Sequence, residues 1–431
     1  MLLPPEAKSL WREQRPVGAV YPALTRDCAY DLAIIGGGFT GLHAALTFAE
    51  AGLSVVVLDA GEPGTGGSGR NGGVVSAKFR RGFNDIARAH GLEMAKRMHA
   101  IATGSVEHLT EVIARYDLSD TGFQRVGALK CAHSIKAFDH ARQEADWLRE
   151  TLGDTGLHVL SAGAVAEETG SDSFVGGVLQ EGAGTIQPLA YLQGLWSAAK
   201  ARGIDVFAQT PVRSVEVRGG RVVLSTPAAS VTADRILLAT NAYSWLTPAG
   251  KAVAKSIVPF RSAIIATEPL PDVLDKHLLS KSRSYTETRR MMRWFRKVDG
   301  RVVFGGRGAL GAVDAPAAFR RLESAMGQIF PELRGVPVAH RWSGQVALTF
   351  DGLPHAGLLS DRIGYAAGFN GAGVAMSGFV GDQIARRMTG QPHDLGLIAR
   401  ASIPKVPFYP LRAIAVRSTT FFYEMLDAAG L

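Results

Sequence analysis

With 431 residues, 46% of them apolar and 20% charged, the chain can bury a large core in two or three domains, and no low-complexity tract argues for disorder. Two cysteines, Cys28 and Cys131, exclude a disulfide framework, and eleven histidines without an H-x-x-x-H pair give no reason to expect a metal. The net charge of +8 is scattered and accompanied by no nucleic-acid motif, so it reads as a solvated surface that favours anionic ligands rather than a nucleic-acid partner.

Residues 1–29 read as an extended arm, and the stretch Met1 to Gln14 lacks the apolar region of a secretory signal. No apolar run approaches a membrane span, so no transmembrane segment and a cytoplasmic location are expected. From Tyr30 the pattern sharpens. Leu32-Ala33-Ile34-Ile35 is an apolar strand, Gly36-Gly37-Gly38-Phe39-Thr40-Gly41 follows, and a helix then leads to a second apolar strand ending Val57-Leu58-Asp59. The loop fits G-x-G-x-x-G through Gly36, Gly38 and Gly41, in the strand–helix setting that dinucleotide binding requires. Gly36 permits the tight turn, Gly38 lets a pyrophosphate approach, and Gly41 lets the helix lie close to its strand. Phosphates would sit at the helix start near Phe39 and Thr40, and Asp59 would accept hydrogen bonds from ribose hydroxyls.

Beyond Phe83 the apolar positions Ile86, Met94, Met98, Ile101, Leu109, Val112 and Ile113 recur at helical spacing as far as Leu118. A further helix is expected over Ile135–Leu152. Pro188–Arg202 reads as a helix, Asp205–Gln209 as a strand, and Pro211–Val217 with Arg221–Ser225 as a hairpin across Gly219-Gly220. Ala233–Thr240 is a fully buried strand ending at Asn241, whereas 256–268 and 283–306 alternate like antiparallel strands. Ile363–Ala367, the loop Gly368–Gly373 and a helix from Val374 to Met388 repeat the strand–glycine–helix unit late in the chain. The expected fold class is α/β, with a Rossmann-like nucleotide domain built from 30–85, 155–250 and 335–400. An α+β substrate domain with an antiparallel sheet would occupy 86–154 and 251–334, and a tail helix 401–431.

Four markers then carry a family resemblance: the first glycine loop with Asp59; Ser68-Gly69-Arg70-Asn71-Gly72-Gly73; Ala239-Thr240-Asn241-Ala242-Tyr243; and Trp342-Ser343-Gly344 with Thr349, Asp351 and Pro354 before Gly368–Gly373. On these the chain resembles the amine-oxidising flavoproteins of the D-amino-acid oxidase and glycine/sarcosine oxidase superfamily, most of all the γ-glutamylputrescine oxidase branch. Asp59 stands where that family usually has Glu. The resemblance implies FAD. Ser68 would donate to a phosphate, Arg70, Asn71, Gly72 and Gly73 would pass the flavin edge, and Val212 would offer its backbone to adenine. Asn241, Trp342, Gly344 and Gly368 belong to the same expected cofactor set. Gly371, Gly373 and Val374 would aim amides at the pyrimidine end of the isoalloxazine. Neither Arg70–Gly73 nor Gly344-Gln345 contains the histidine or cysteine that tethers flavin in some relatives, so the FAD is expected to be noncovalent.

The reaction implied is hydride loss from a carbon beside an amine nitrogen to flavin N5, followed by hydrolysis of the imine. The substrate would be a small-molecule primary or secondary amine. Two alternatives stay open, a D- or N-methyl amino-acid dehydrogenase and a flavin-binding subunit inactive alone. The electron acceptor, whether O2, a quinone or a carrier protein, is not legible in the residues. Relatives hold a substrate carboxylate with an arginine on a strand comparable to the one before Gly300. Arg296 is nearest by spacing, one residue off register. Trp294 and Tyr285 are placed on the pocket wall, with the sheet's core as the alternative. His340 and His355 are expected to be structural.

Overall fold

The computed structural model describes residues 8–15, 18–307 and 316–428. Two large sheets organise them. In the first, Leu32–Ile35 and Val55–Leu58 are buried at every position, as parallel strands covered on both faces must be. Cys28–Ile35 pairs in parallel with Val55–Leu58 on one side and Ser230–Leu238 on the other. Asp205–Phe207 extends one edge; Ile363–Ala367, His355–Ser360 and Ala399–Arg400 extend the other. The hairpin Ser214–Arg218 and Arg221–Ser225 pairs with the start of Ser230–Leu238.

The crossover helix Phe39–Glu50 is buried along most of its length because a second helix, Gly373–Met388, lies against it. A Cβ at Gly381 would stand 2.3 Å from the Thr40 carbonyl oxygen, so the two helices meet backbone to backbone. Leu92–Arg115 joins the same core through Met98, Ile101, Ala102 and Leu109.

The second sheet runs Val338–Leu348, Val258–Thr267, Arg301–Arg307, Arg293–Val298, Ser284–Glu287, Ala128–Cys131, Gly176–Gln180, Leu157–Ser161. It is antiparallel except where Ser284–Glu287 and Ala128–Cys131 run in parallel. Strand alternation gives it two unlike faces. Tyr285, Phe295 and Phe304 stack on one, with ring centroids 5.6–5.7 Å apart between neighbours. Trp294 and Arg296 stand on the other, against Gly72 and Gly73.

Sheet pairing distributes several segments differently from the boundaries read off the pattern. Leu157–Ser161, Gly176–Gln180 and Val338–Leu348 hydrogen-bond into the second sheet, not the first. Leu92–Arg115 packs into the nucleotide-domain core rather than with the second sheet. Short strands and amphipathic helices carry a burial period but no label for the sheet they join, because pairing is decided by nonlocal register. The tail helix, Arg412–Ala428, follows a short turn at Tyr409–Leu411. Among the described residues no helix is long and apolar enough to cross a membrane, and no group of three or more His, Cys, Asp or Glu is placed to hold a metal ion.

Candidate active site

A cavity opens beyond the carboxyl ends of Cys28–Ile35, Val55–Leu58 and Ser230–Leu238, lined there by Ile35, Leu58 and Ala239. Open parallel sheets hold ligands at this crevice. Gly36 has φ +110, and a Cβ on it would lie 2.7 Å from the Ala239 carbonyl oxygen. At Gly41 a Cβ would fall 1.9 Å from the Gly36 oxygen, so strand and helix can be this close only through glycine. Asp59 Oδ2 accepts the Gly37 N–H at 2.7 Å and Oδ1 accepts the Gly61 N–H at 2.9 Å. Burial pushes this carboxyl up from its ordinary range, and the two amides oppose the shift. Asp59 therefore fastens the turn as well as facing the cavity. Trp196, unforeseen in the sequence, donates Nε1–H to the Gly37 carbonyl at 2.9 Å.

Ser68 Oγ accepts the Phe39 N–H at 3.1 Å, capping the crossover helix from the neighbouring loop. Its own proton is left to donate. At the far end, Asn241 adopts φ +42 and accepts the Gly368 N–H at 2.9 Å, joining the third marker to the fourth. The helix Gly373–Met388 begins without a side-chain cap, and Gly371, Gly373 and Val374 line the cavity at its start. Its first amides thus remain for a ligand. Val212 lines the wall nearer the adenine end expected of a dinucleotide, beside Thr210 and Pro211.

Of the expected cofactor residues, Gly36, Gly38, Phe39, Thr40, Asp59, Ser68, Asn71, Val212, Asn241, Gly371, Gly373 and Val374 line this one cavity. Gly41, Arg70, Gly72, Gly73, Trp342, Gly344 and Gly368 do not line it. Arg70 is buried and donates from Nε to the Ser343 carbonyl at 2.6 Å, while Trp342 Nε1 donates back to the Arg70 carbonyl at 3.0 Å. Asn71 donates to the Ser68 carbonyl and accepts the Gly73 N–H, each at 2.8 Å. The second and fourth markers are one clamp. Thr247 and Gln345 are among the lining residues outside the expected set. Thr247 Oγ1 and Gln345 Oε1 are buried with no hydrogen-bond partner among the described residues. Such atoms call for a polar ligand. With the free helix amides and the glycine cradle, they fit a dinucleotide cofactor laid across the crevice.

The expected substrate residues divide. Trp294 and Arg296 share a face: a Cβ on Gly72 would meet the Trp294 ring at 2.3 Å, and Arg296 Nη1 donates to the carbonyls of Gly73 at 2.7 Å and Ile186 at 3.0 Å. Arg296 lies over the Trp11 ring, 5.4 Å from its centroid. Burial lowers the guanidinium to about 10, with Asp299 working the other way, and its Nε has no hydrogen-bond partner among the described residues. Tyr285 is on the opposite face, fully buried in the aromatic stack. It is part of the core, not of a pocket wall. Its pairing opposite Phe295, whose neighbours Trp294 and Arg296 face the other way, is the reason.

The histidines find partners that the motifs did not reveal. His355 lies 3.0 Å from Asp351, four residues before it, and His340 lies 3.4 Å from Glu13. His43, buried in the crossover helix, shares hydrogen bonds with His108 at 2.9 Å and Tyr191 at 2.8 Å. Burial, reinforced by His108, holds His43 well below its ordinary range, so it is a neutral packing group.

The chain matches the protein family described as DAO, FAD dependent oxidoreductase, over residues 31–387. The γ-glutamylputrescine oxidoreductase of Escherichia coli (strain K12) is 30% identical over 417 residues, covering 96% of this chain and 96% of that protein. A probable oxidoreductase, OrdL, of Haemophilus influenzae is 28% identical and covers 97% of each chain. Among solved structures, glycine oxidase from Geobacillus kaustophilus superposes with a TM-score of 0.74 at 19% identity, over 89% of this chain and 100% of that one. That last likeness speaks for the fold.

Proposed function

The chain belongs to the DAO family of FAD-dependent oxidoreductases, and we propose that it oxidises a primary or secondary amine of the γ-glutamylputrescine kind, one bearing a carboxylate away from the reacting carbon. The observation that carries this reading is the sheet face on which Trp294 covers Gly72 and Arg296 reaches Gly73. A substrate lying over that loop meets an aromatic wall and a buried cation. The relative of 30% identity supports the amine class.

Bound FAD supplies the two-electron acceptor. The protein's part is to bind, orient and keep water out. The Thr40 amide, with the Ser68 hydroxyl, would hold the diphosphate, Asp59 the ribose, and the Val212 backbone the adenine. The absence of a cysteine or histidine at the tethering positions favours noncovalent binding. Amides of Gly371, Gly373 and Val374 would serve the end of the ring where negative charge grows, and one preorganised donor of this sort contributes about 3 kcal/mol. Arg296 holds the carboxylate and Trp294 excludes water. The neutral amine gives up the hydrogen on its α-carbon with the electron pair. Loss of a proton from nitrogen completes the imine, and water then adds to it, releasing a carbonyl compound and ammonia or a smaller amine.

A D- or N-methyl amino-acid dehydrogenase is the second reading, since the buried Arg296 cation suits an α-carboxylate as well as a distal one. Anaerobic mixing of the yellow holoprotein with γ-glutamylputrescine, putrescine, sarcosine and D-amino acids separates them. Bleaching of the flavin band by γ-glutamylputrescine is the expected result. Bleaching by α-amino acids alone overturns the proposal in favour of the second reading. A flavin that no amine bleaches overturns both and leaves a subunit that needs a partner.

A further inference from the structure

Two asparagines hold the loop Gly368–Gly373, and one of them, Asn370, had no expected role. Both take the left-handed backbone conformation, Asn241 with φ +42 and Asn370 with φ +55, which asparagine tolerates better than most residues with a Cβ. They grip Gly368 from its two sides. Asn241 Oδ1 accepts the Gly368 N–H at 2.9 Å, and Asn370 Nδ2 donates to the Gly368 carbonyl at 2.7 Å. Gly368 has φ +83, and a Cβ on it would lie 2.2 Å from Thr349 Cγ2.

The rest of the Asn370 carboxamide goes to Thr349. Its Oδ1 accepts the Thr349 N–H at 2.8 Å, which fixes which end is the oxygen, and Nδ2 also donates to Thr349 Oγ1 at 2.9 Å. That hydroxyl donates in turn to the Leu353 carbonyl at 2.8 Å. Both donors of the carboxamide are therefore used within the protein. The backbone completes the frame in alternation. The Asn370 N–H donates to the Ala347 carbonyl and the Ala372 N–H to the Phe369 carbonyl, each at 3.0 Å. The amides of Gly371 and Gly373, which alternate with them, have no acceptor among the described residues, and both residues line the cofactor cavity. A donor stabilises a developing charge best when it need not reorganise as the charge appears. A loop with this many glycines has no such rigidity of its own.

We propose that Asn370 is a positioning residue for flavin reduction: tied to Gly368 and Thr349, it holds the Gly371 and Gly373 amides where they stabilise the negative charge of reduced FAD, and so raises the reduction potential of the cofactor. The inference rests on the reading of this loop as the one that serves the pyrimidine end of the ring, and not on which amine is oxidised.

The test is the two-electron midpoint potential of the bound flavin in the full-length holoprotein, read by equilibration with a reference dye during slow reduction, which needs no amine. Asn370→Gly leaves the left-handed conformation free of strain and removes the three side-chain bonds. Thr349→Val removes the hydroxyl and keeps the Thr349 N–H. The expected result for Asn370→Gly is a loss of reduced-flavin stabilisation on the order of tenfold, a fall of about 30 mV for a two-electron couple. Thr349→Val should fall less, in the same direction. An Asn370→Gly holoprotein with the wild-type potential overturns the proposal. Should that variant lose its flavin, Thr349→Val decides, and an unchanged potential there overturns it too. Loss of flavin from both variants assigns the frame to folding alone and equally overturns it. A wild-type flavin that no amine reduces counts against the proposed function only, because the potential is measured without substrate.

Discussion

The Gly36–Gly41 turn and the sheet face of Trp294 and Arg296 would hold their proposed ligands by opposite means. The turn works through backbone: two glycines that admit no Cβ, amides at a helix start, and one carboxylate that ties the turn from below. The sheet face works through long side chains that reach a loop from another part of the chain, Trp294 to Gly72 and Arg296 to Gly73. A backbone site is intolerant of any added atom but indifferent to most side chains around it. A side-chain site is the reverse, and its specificity can be changed residue by residue. The two should therefore break differently under mutation.

The largest effect is expected at Gly41. Gly41→Val puts a branched side chain where 1.9 Å separates an added Cβ from the Gly36 oxygen, and neither partner is a flexible side chain. Overpacking of this sort costs about 3 kcal/mol, and the protein should be isolated without flavin; a normal ratio of flavin to protein absorbance would refute the backbone account. Asp59→Ala comes next. It removes a charged acceptor from the Gly37 and Gly61 amides, each such bond being worth roughly 1.5–3 kcal/mol. FAD affinity should fall on the order of 100-fold, measured by fluorescence titration of apoprotein. An unchanged dissociation constant would mean that the turn holds itself.

On the sheet face, Arg296→Met should raise KM for a carboxylate-bearing amine by about 10- to 100-fold, the range for one charge-assisted pair. The kcat of bound substrate should change far less. Equal losses for γ-glutamylputrescine and for putrescine would show that Arg296 serves only the carbonyls of Gly73 and Ile186.

These differences also explain what could be read in the chain beforehand. The backbone site was legible because Gly36, Gly38 and Gly41 sit within six residues and their spacing is itself the geometry. Asn241 and Gly371–Val374 were legible for the same reason, as strand ends and helix starts. Arg70 and Trp342 were legible as markers but not as a clamp, since 272 residues separate the Trp342 donor from its acceptor. Thr247 and Gln345 gave no signal beyond adjacency to motifs. Tyr285 misled because an aromatic on a strand is equally good on either face, and only the register with Phe295 decides. Asp351 stands four residues before His355 inside the fourth marker, but the motif did not reveal that the two pair.

That pair gives a smaller, pH-dependent effect. Burial works against ionisation of Asp351, but the His355 hydrogen bond and charge outweigh it, with Arg400 adding to them, and hold the carboxyl down at about 2. A folded pKa below the unfolded value of 3.8 stabilises the native state above that value, and the benefit is lost as pH falls toward 2. The difference amounts to about 2 kcal/mol, before allowance for a side chain that is 30% exposed. Asp351→Asn should therefore lower unfolding free energy by 1–2 kcal/mol, roughly, at neutral pH. The gap between variant and wild type should close between pH 4 and pH 2. A constant gap in urea titrations across that range would assign the loss to packing instead.

The smallest effect is expected at Tyr285, and it sharpens the contrast most. Burial pushes its phenol far up, and the Glu168 carboxylate beside it adds to the shift by its charge and by hydrogen bonding, although no hydrogen bond of good geometry closes on the hydroxyl among the described residues. The ring does its work by stacking on Phe295 at 5.6 Å with planes 7° apart. Tyr285→Phe keeps that stack and removes only a hydroxyl poorly aligned with Glu168, a change of about 1 kcal/mol or less. Flavin content, KM and kcat should all match the wild type. A tenfold fall in turnover would return Tyr285 to the substrate side, and with it the assumption that the two faces of the second sheet divide core from catalysis.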